Sequence, residues 1–201
     1  RVVTHSETVS AAIGIDKGKV VAVASDGLLP FADRVIDAGG KYILPGVIDL
    51  HLHMAYGEYF NIPFAETVPT ESGAAALGGV TTVVTYLRRV KTGLLTDLDD
   101  LKRDFESNSY IDGFFHMMVA DEANLEQITD CPARGIHGFK FSMGYKGPQA
   151  AALGIPAIDD GFVLDGFRRV SKLGYPSWGM VHAENIDIAL RLRKPIEAEG
   201  R

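Results

Sequence analysis

The pattern of apolar and polar positions along the chain changes its period near residue 45. Up to that point, short β-like runs alternate with turn chemistry: Thr8 to Ile15, a turn at Asp16 to Lys19, Val20 to Ala24, Arg34 to Ala38 and Lys41 to Leu44. Runs of this length, separated by DKG, SDG and AGG, predict a small β-sheet unit. Pro45-Gly46 marks its end, so the expected domains are 1–45 and 46–201. From Val47 onward, strand-like runs alternate with helical ones, the signal for βα units on a parallel sheet. The strands fall at Val47 to Met54, Val80 to Tyr86, Gly113 to Val119, Gly138 to Met143 and Gly179 to Ala183. Between them, Thr96 and Asp99 resemble a capping box opening a helix with Leu98, Leu101 and Phe105 on one face. A shorter helix with Leu125 and Ile128 follows Asp121. Asp159 or Asp160 opens another, lined by Val163, Phe167 and Val170 and closed by Gly174.

Five βα units after a sheet segment fit two α/β architectures, a doubly wound sheet or a (β/α)₈ TIM-type barrel of which five units are present. A dinucleotide fold needs a G-x-G-x-x-G loop after a strand, whereas Gly78-Gly79 precedes one, which favours the barrel. No internal repeat beyond this alternation and no low-complexity tract is present.

Composition narrows the function classes. With 201 residues, 46% of them apolar, the chain is of the ordinary globular kind and long enough for a sizeable core. A net charge of −6 without a basic stripe argues against nucleic acid. No run approaches the ~20 apolar residues that span a bilayer, and no charged-then-apolar leader is visible, so no membrane partner and a cytoplasmic location are expected. The single cysteine, Cys131, has no activating neighbour in sequence and reads as a small half-buried residue in a reducing compartment. The chain opens without Met on RVVT, as if mid-strand, and closes on the polar EAEGR, so it reads as part of a longer polypeptide.

The candidate chemistry lies on the strands, where residues two apart share a face. In VIDLHLHM, Val47, Asp49, His51 and His53 point one way, and Ile48, Leu50, Leu52 and Met54 point toward covering helices. The histidines end their strand, where barrel active sites assemble. Two imidazoles about 6.5–7 Å apart along a strand can converge on one cation. On the fourth strand, Phe139, Phe141 and Met143 take the outer face and leave Lys140 pointing inward, although lysine is rarely buried unpaired. A lysine snorkelling from a sheet edge is the alternative, disfavoured for the fourth of five strands. On the fifth strand His182 faces in. Alone, an inward histidine is more often a hydrogen-bonded core residue than a ligand; for the adjacent pair the balance reverses, because two inward imidazoles need a cation or acid between them.

PGVIDLHLH, AALGGVTTVVTY, GFKFSMGYKG followed by an Asp-Asp helix start, and VHAEN together resemble the cyclic amidohydrolases of the dihydropyrimidinase and D-hydantoinase group, over nearly the whole chain. The resemblance implies a (β/α)₈ barrel flanked by a β-sandwich, of which 1–45 would be part, and a homotetramer. It further implies two divalent cations, zinc as a rule, with His51 and His53 on one and His182 on the other. Lys140 would bridge them as a carbamate formed with carbon dioxide, a reaction open to the neutral amine that burial favours. Tyr145 matches the tyrosine that steadies the developing oxyanion. The implied reaction is opening of a small cyclic amide, a hydantoin or dihydropyrimidine, to an N-carbamoyl amino acid. A further histidine and a general-base aspartate, which this resemblance also implies, are expected beyond residue 201, so the chain is expected to be inactive alone.

Relatives set the alternatives. A dihydroorotase would carry an arginine shortly after HxH; here Met54, Ala55, Tyr56 and Gly57 follow, against an acidic substrate. Tyr56, Tyr59, Phe60 and Phe64 read as a partly apolar rim or as loop packing, and GEYF departs from the glycine-rich loop of typical hydantoinases. Allantoinase is the nearest catalytic alternative, and a dihydropyrimidinase-like structural protein the non-catalytic one. Asp49 is expected to support the strand end below the ligands. His5, His116 and His137 read as structural, and Glu184 and Asn185 either order the top of the fifth strand or cap a helix.

Overall fold

The computed structural model describes residues 1–25, 27–54, 62–87, 94–152 and 154–200. The chain divides into two compact units, Arg1–Val47 and Ile48–Arg201.

In the first unit, β1 (Val2–Val3) pairs antiparallel with β2 (Thr8–Val9), and β3 (Ala12–Asp16) with β4 (Lys19–Ala24). The β3–β4 hairpin turns on Lys17 (φ 48°) and Gly18 (φ 74°). Positive φ at both central residues matches the twist of the flanking strands, which is why DKGK makes a tight hairpin. The runs 34–38 and 41–44 form no ladder; Ile43 makes a single parallel bridge to Val2. Val35 and Ile36 are 82% and 74% exposed, so the run at 34–38 has strand-like composition without a pairing partner among the described residues.

The second unit runs β5 (Val47–Leu52), α1 (Phe64–Leu77), β6 (Val80–Leu87), α2 (Leu94–Asn108), β7 (Asp112–Met118), α3 (Glu122–Gln127), β8 (Gly138–Ser142), α4 (Gly147–Ala152), α5 (Asp160–Leu173), β9 (Trp178–His182) and α6 (Ile186–Ala198). The five strands form one sheet in chain order, β5-β6-β7-β8-β9, and the pairs from β6 onward are parallel. A doubly wound sheet reverses its order at a switch point; this sheet does not, and it forms part of a (β/α) barrel.

The strand faces part cleanly. Phe139 and Phe141 of β8 and Met117 of β7 are fully buried on the outer face, with Leu98 of α2, Leu125 of α3 and Val170 of α5 in the same cluster. Each such side chain contributes about 1.5–3 kcal/mol by leaving water. The inner face carries Tyr86, His116, Lys140 and His182. Parallel register sets Tyr86 opposite His116, Lys140 opposite Met180 and Ser142 opposite His182. Gly138 serves this inner layer by having no side chain, since a Cβ there would lie 1.8 Å from Nδ1 of His116.

Helix starts follow local hydrogen bonding. Asp121 accepts from the Asn124 N–H (2.8 Å) and Asp159 from the Phe162 N–H (2.9 Å), side-chain caps that satisfy free donors of α3 and α5. Helix α2 begins at Leu94, so Thr96 sits in its first turn instead of capping it; the earlier start packs Leu95 against the core. No helix among the described residues is long and apolar enough to cross a membrane.

Candidate metal centre

Strand β5 delivers the first pair. Asp49 accepts from the His51 backbone N–H at 2.9 Å, and just past the strand the Met54 N–H donates to the Thr85 hydroxyl at 3.0 Å. The second bond is buried and ties the chain leaving the sheet to β6, which holds His53 although it follows the last strand residue. The two imidazoles stand edge to face, centroids 5.9 Å apart.

Both pack on a residue that sequence reasoning passed over. Tyr86, 2% exposed, lies 4.6 Å from the His51 ring and 5.0 Å from the His53 ring, and the Lys140 ammonium sits 5.3 Å above its centroid. The Tyr86 hydroxyl donates to the Met180 sulfur at 2.8 Å. One aromatic plate thus adjoins three of the four residues expected to bind metal. Its signal was present: Tyr86 ends the inward-facing set of β6, at the height of the histidines.

Lys140 is 6% exposed, and no carboxylate among the described residues pairs with it. Burial lowers its pKa from the usual lysine value. Burial also lowers the pKa of both imidazoles; the nearby Lys140 charge pushes each the same way, with His182 adding to the effect on His51 and His51 to that on His53. At His51 the Asp49 carboxylate opposes this, by more than His182 adds to it. His182, across from Ser142 on the inner face of β9, is therefore close enough to be felt at His51. Its Nε2 donates to Glu184 Oε2 at 3.0 Å.

The donor set fits a cation. Neutral imidazoles have lone pairs to give, and a desolvated amine without an acid partner is relieved by a group that removes its proton. Among the described residues no three His, Cys, Asp or Glu side chains form a metal-sized cluster, so the gathering at Tyr86 is of two imidazoles and an amine.

The remaining candidates fall elsewhere. Tyr145 is half-buried in the loop between β8 and α4, its hydroxyl without a hydrogen-bond partner among the described residues. Tyr56, Tyr59 and Phe60 lie outside the described residues, and Phe64, 3% exposed, is core at the start of α1, not rim. Asn185 caps α6 by accepting from the Ile188 N–H at 3.1 Å. Cys131 is fully buried, its pKa pushed up to about 12 by burial, as for an inert packing residue. His137 Nδ1 lies 3.3 Å from the Ser177 hydroxyl, and His5 is exposed. His116 is 4% exposed on the inner face, between Tyr86 and Trp178, and neither ring nitrogen has a hydrogen-bond partner. Burial lowers its pKa to about 4, with the Leu50 carbonyl opposing weakly from beyond good hydrogen-bond geometry.

No protein-family model matches the chain. It is 36% identical to a D-hydantoinase of Ralstonia pickettii, an alignment covering all of this chain and 42% of that protein. An L-hydantoinase of Paenarthrobacter aurescens is 31% identical over 100% of this chain and 42% of its own, and an allantoinase of Desulfitobacterium hafniense 32% identical over 95% and 40%. The solved structure of a D-hydantoinase matches with a TM-score of 0.81 at 32% identity, covering 99% of this chain and 42% of that one. The chain spans about two fifths of the length of these relatives.

Proposed function

Because the chain is homologous along its whole length to the dihydropyrimidinase and D-hydantoinase group of cyclic amidohydrolases, we propose that it forms the ligand-bearing half of a metal-dependent hydrolase opening a cyclic amide such as a hydantoin or dihydropyrimidine. The observation that carries this reading is Lys140, buried without an acid partner beside two imidazoles on the Tyr86 plate. His51 and His53 would hold one divalent cation, His182 a second, and Lys140, as its carbamate, both. Two such cations, when bound, lower the pKa of a shared water and polarise the amide carbonyl.

The chain's own residues do the rest. Lys140 first gives up its ammonium proton, and the neutral amine loses a second proton as its nitrogen bonds carbon dioxide; the two losses turn a costly buried cation into an anion suited to paired cations. Asp49 and Thr85 fix the backbone on either side of the HxH pair, so the imidazoles are set before anything binds. Tyr145 would donate a hydrogen bond from its hydroxyl to the carbonyl oxygen on which charge develops as the oxygen of water adds to the ring carbonyl carbon. The amide C–N bond then breaks, the leaving nitrogen takes up the proton that the water gives up, and the product is an N-carbamoyl amino acid.

The test is zinc content and ring opening of hydantoin, dihydrouracil and allantoin by the full-length protein and by Lys140→Met, which keeps the length of the side chain and removes its nitrogen. Wild type should bind about two zinc ions per subunit and open one of the rings. The variant should lose both properties while melting no lower than metal-free wild type, because a buried amine has been replaced by an apolar group. Unchanged turnover in the variant rejects the bridging role, and a zinc-free, inactive wild type favours a structural protein.

A further inference from the structure

The turn after His182 is built more closely than helix capping requires. Glu184 Oε2 lies 3.0 Å from His182 Nε2, both side chains being about half exposed (48% and 51%). An ionised carboxylate only accepts, so the ring proton sits on Nε2, and in the neutral ring Nδ1 is the nitrogen left with a lone pair. A second, separate feature shapes the same pair. Gly144, in the loop after β8, packs closely on the pair: a Cβ there would lie 3.0 Å from Glu184 Oε2 and 3.1 Å from both Cδ2 and Nε2 of His182, so the two side chains would have to give by a few tenths of an ångström. Bonds run from both sides of Gly144. The Met143 N–H donates to the His182 carbonyl at 2.9 Å, and the Lys146 ammonium donates to both carboxylate oxygens of Asp187, in the first turn of α6, at 2.7 and 2.9 Å. The loop carrying Tyr145 is thus joined to the end of β9 and to the start of α6.

We propose that Glu184 is a positioning residue that fixes the His182 ring with Nδ1 as its metal-binding nitrogen, and that the bare backbone of Gly144 leaves the pair its unstrained geometry. This rests on the metal-dependent reading above. It extends that reading by assigning work to two residues outside the ligand set and by tying His182 mechanically to the Tyr145 loop. A histidine ligand whose other nitrogen is held by a carboxylate is preset in tautomer and ring orientation; loss of such a support costs about 10–100-fold in metal affinity.

Full-length protein with ¹⁵N-labelled histidine, prepared metal-free, reports the tautomer of His182 directly, and zinc titration against a competing chelator reports the affinity of each site. Wild type should show the proton on Nε2. Glu184→Ala should mix the two tautomers and weaken one of two zinc ions by about 10–100-fold, with the other unchanged. Glu184→Gln, whose amide oxygen can accept the same hydrogen bond, should restore most of the affinity, a rescue that a general packing role would not give. Gly144→Ala should shift the tautomer and the affinity in the same direction as Glu184→Ala, without touching either group chemically. A wild-type ring protonated on Nδ1, or equal zinc affinities in wild type and Glu184→Ala, overturns the proposal. Wild type that binds no zinc overturns the metal reading and the ligand half of this proposal with it, while the tautomer measurement still decides whether Glu184 orients the ring.

Discussion

Strands β5 and β8 share a pattern of alternation and have opposite surroundings. Each alternates apolar residues with a few polar ones, and each brings candidate ligands to the inner face. Yet every residue of β8 is buried, whereas Val47, Ile48 and Leu50 of β5 are 53%, 61% and 51% exposed. The difference lies in position. β8 pairs with β7 on one side and β9 on the other and is backed by α5, through Gly166 and Phe167 against Phe141; β5 ends the strand order. The same alternation therefore yields a dry site for Lys140 and a wet one for His51. Ligand chemistry follows from this: loss of water lowers the Lys140 pKa, while at His51 burial acts together with neighbouring charges.

Stability measurements can break this contrast. Phe141→Ala in β8 should cost about 3–5 kcal/mol, since it empties a fully buried site that Gly166 has been shaped to meet. Urea melts of the two proteins at pH 7 read this directly.

A smaller effect should appear with acid. Folding keeps His116 neutral down to about pH 4, against an ordinary value of 6.5. The unfolded chain takes up that proton first, so this contribution is fully present above pH 6.5 and is lost as pH falls toward 4. At about 1.4 kcal/mol per pH unit, wild type should lose about 2 kcal/mol more than His116→Gln between pH 7 and pH 5. Parallel urea melts at the two pH values test it, and equal slopes for both proteins would mean that the ring already shares a proton with a partner.

Smallest of all should be Leu50→Ser on the outer face of β5, within about 0.5 kcal/mol of wild type. A loss of several kcal/mol there, in the same melts, would show that β5 is covered in solution and erase the contrast with β8.

Much of the fold was legible because period-2 and period-3.6 patterns are local. All five strands of the barrel portion lie within a residue or two of where alternation placed them, and Asp121, Asp159 and Gly174 punctuate helices as their chemistry requires. Helix α1 was not assigned: its buried stripe of Phe64, Val68 and Ser72 is short of large apolar groups and interrupted by Pro69. The runs at 34–38 and 41–44 show the reverse error: strand-like composition that yields no ladder, only the single bridge from Ile43 to Val2. At the site, facing was legible from spacing: His51 and His53 lean on the inward Tyr86 ring, Lys140 lies above it, and His182 faces the same way on β9. What spacing does not reveal is which inward residue others will lean on. Tyr86 emerges only once β5 and β8 are seen to approach the same ring, and Gly144 only once two loops meet.

The void at Gly138 has a consequence for how such a protein can change over time. Because the His116 ring fills the space a side chain would need, position 138 cannot gain a side chain while the ring stays where it is. A bulkier residue at 138 must arrive with, or after, a smaller one at 116, whereas 116 can change first. Among relatives, any residue larger than glycine at this position should therefore be accompanied by something smaller than histidine opposite it, even where the surrounding loops have been rewritten for a different substrate.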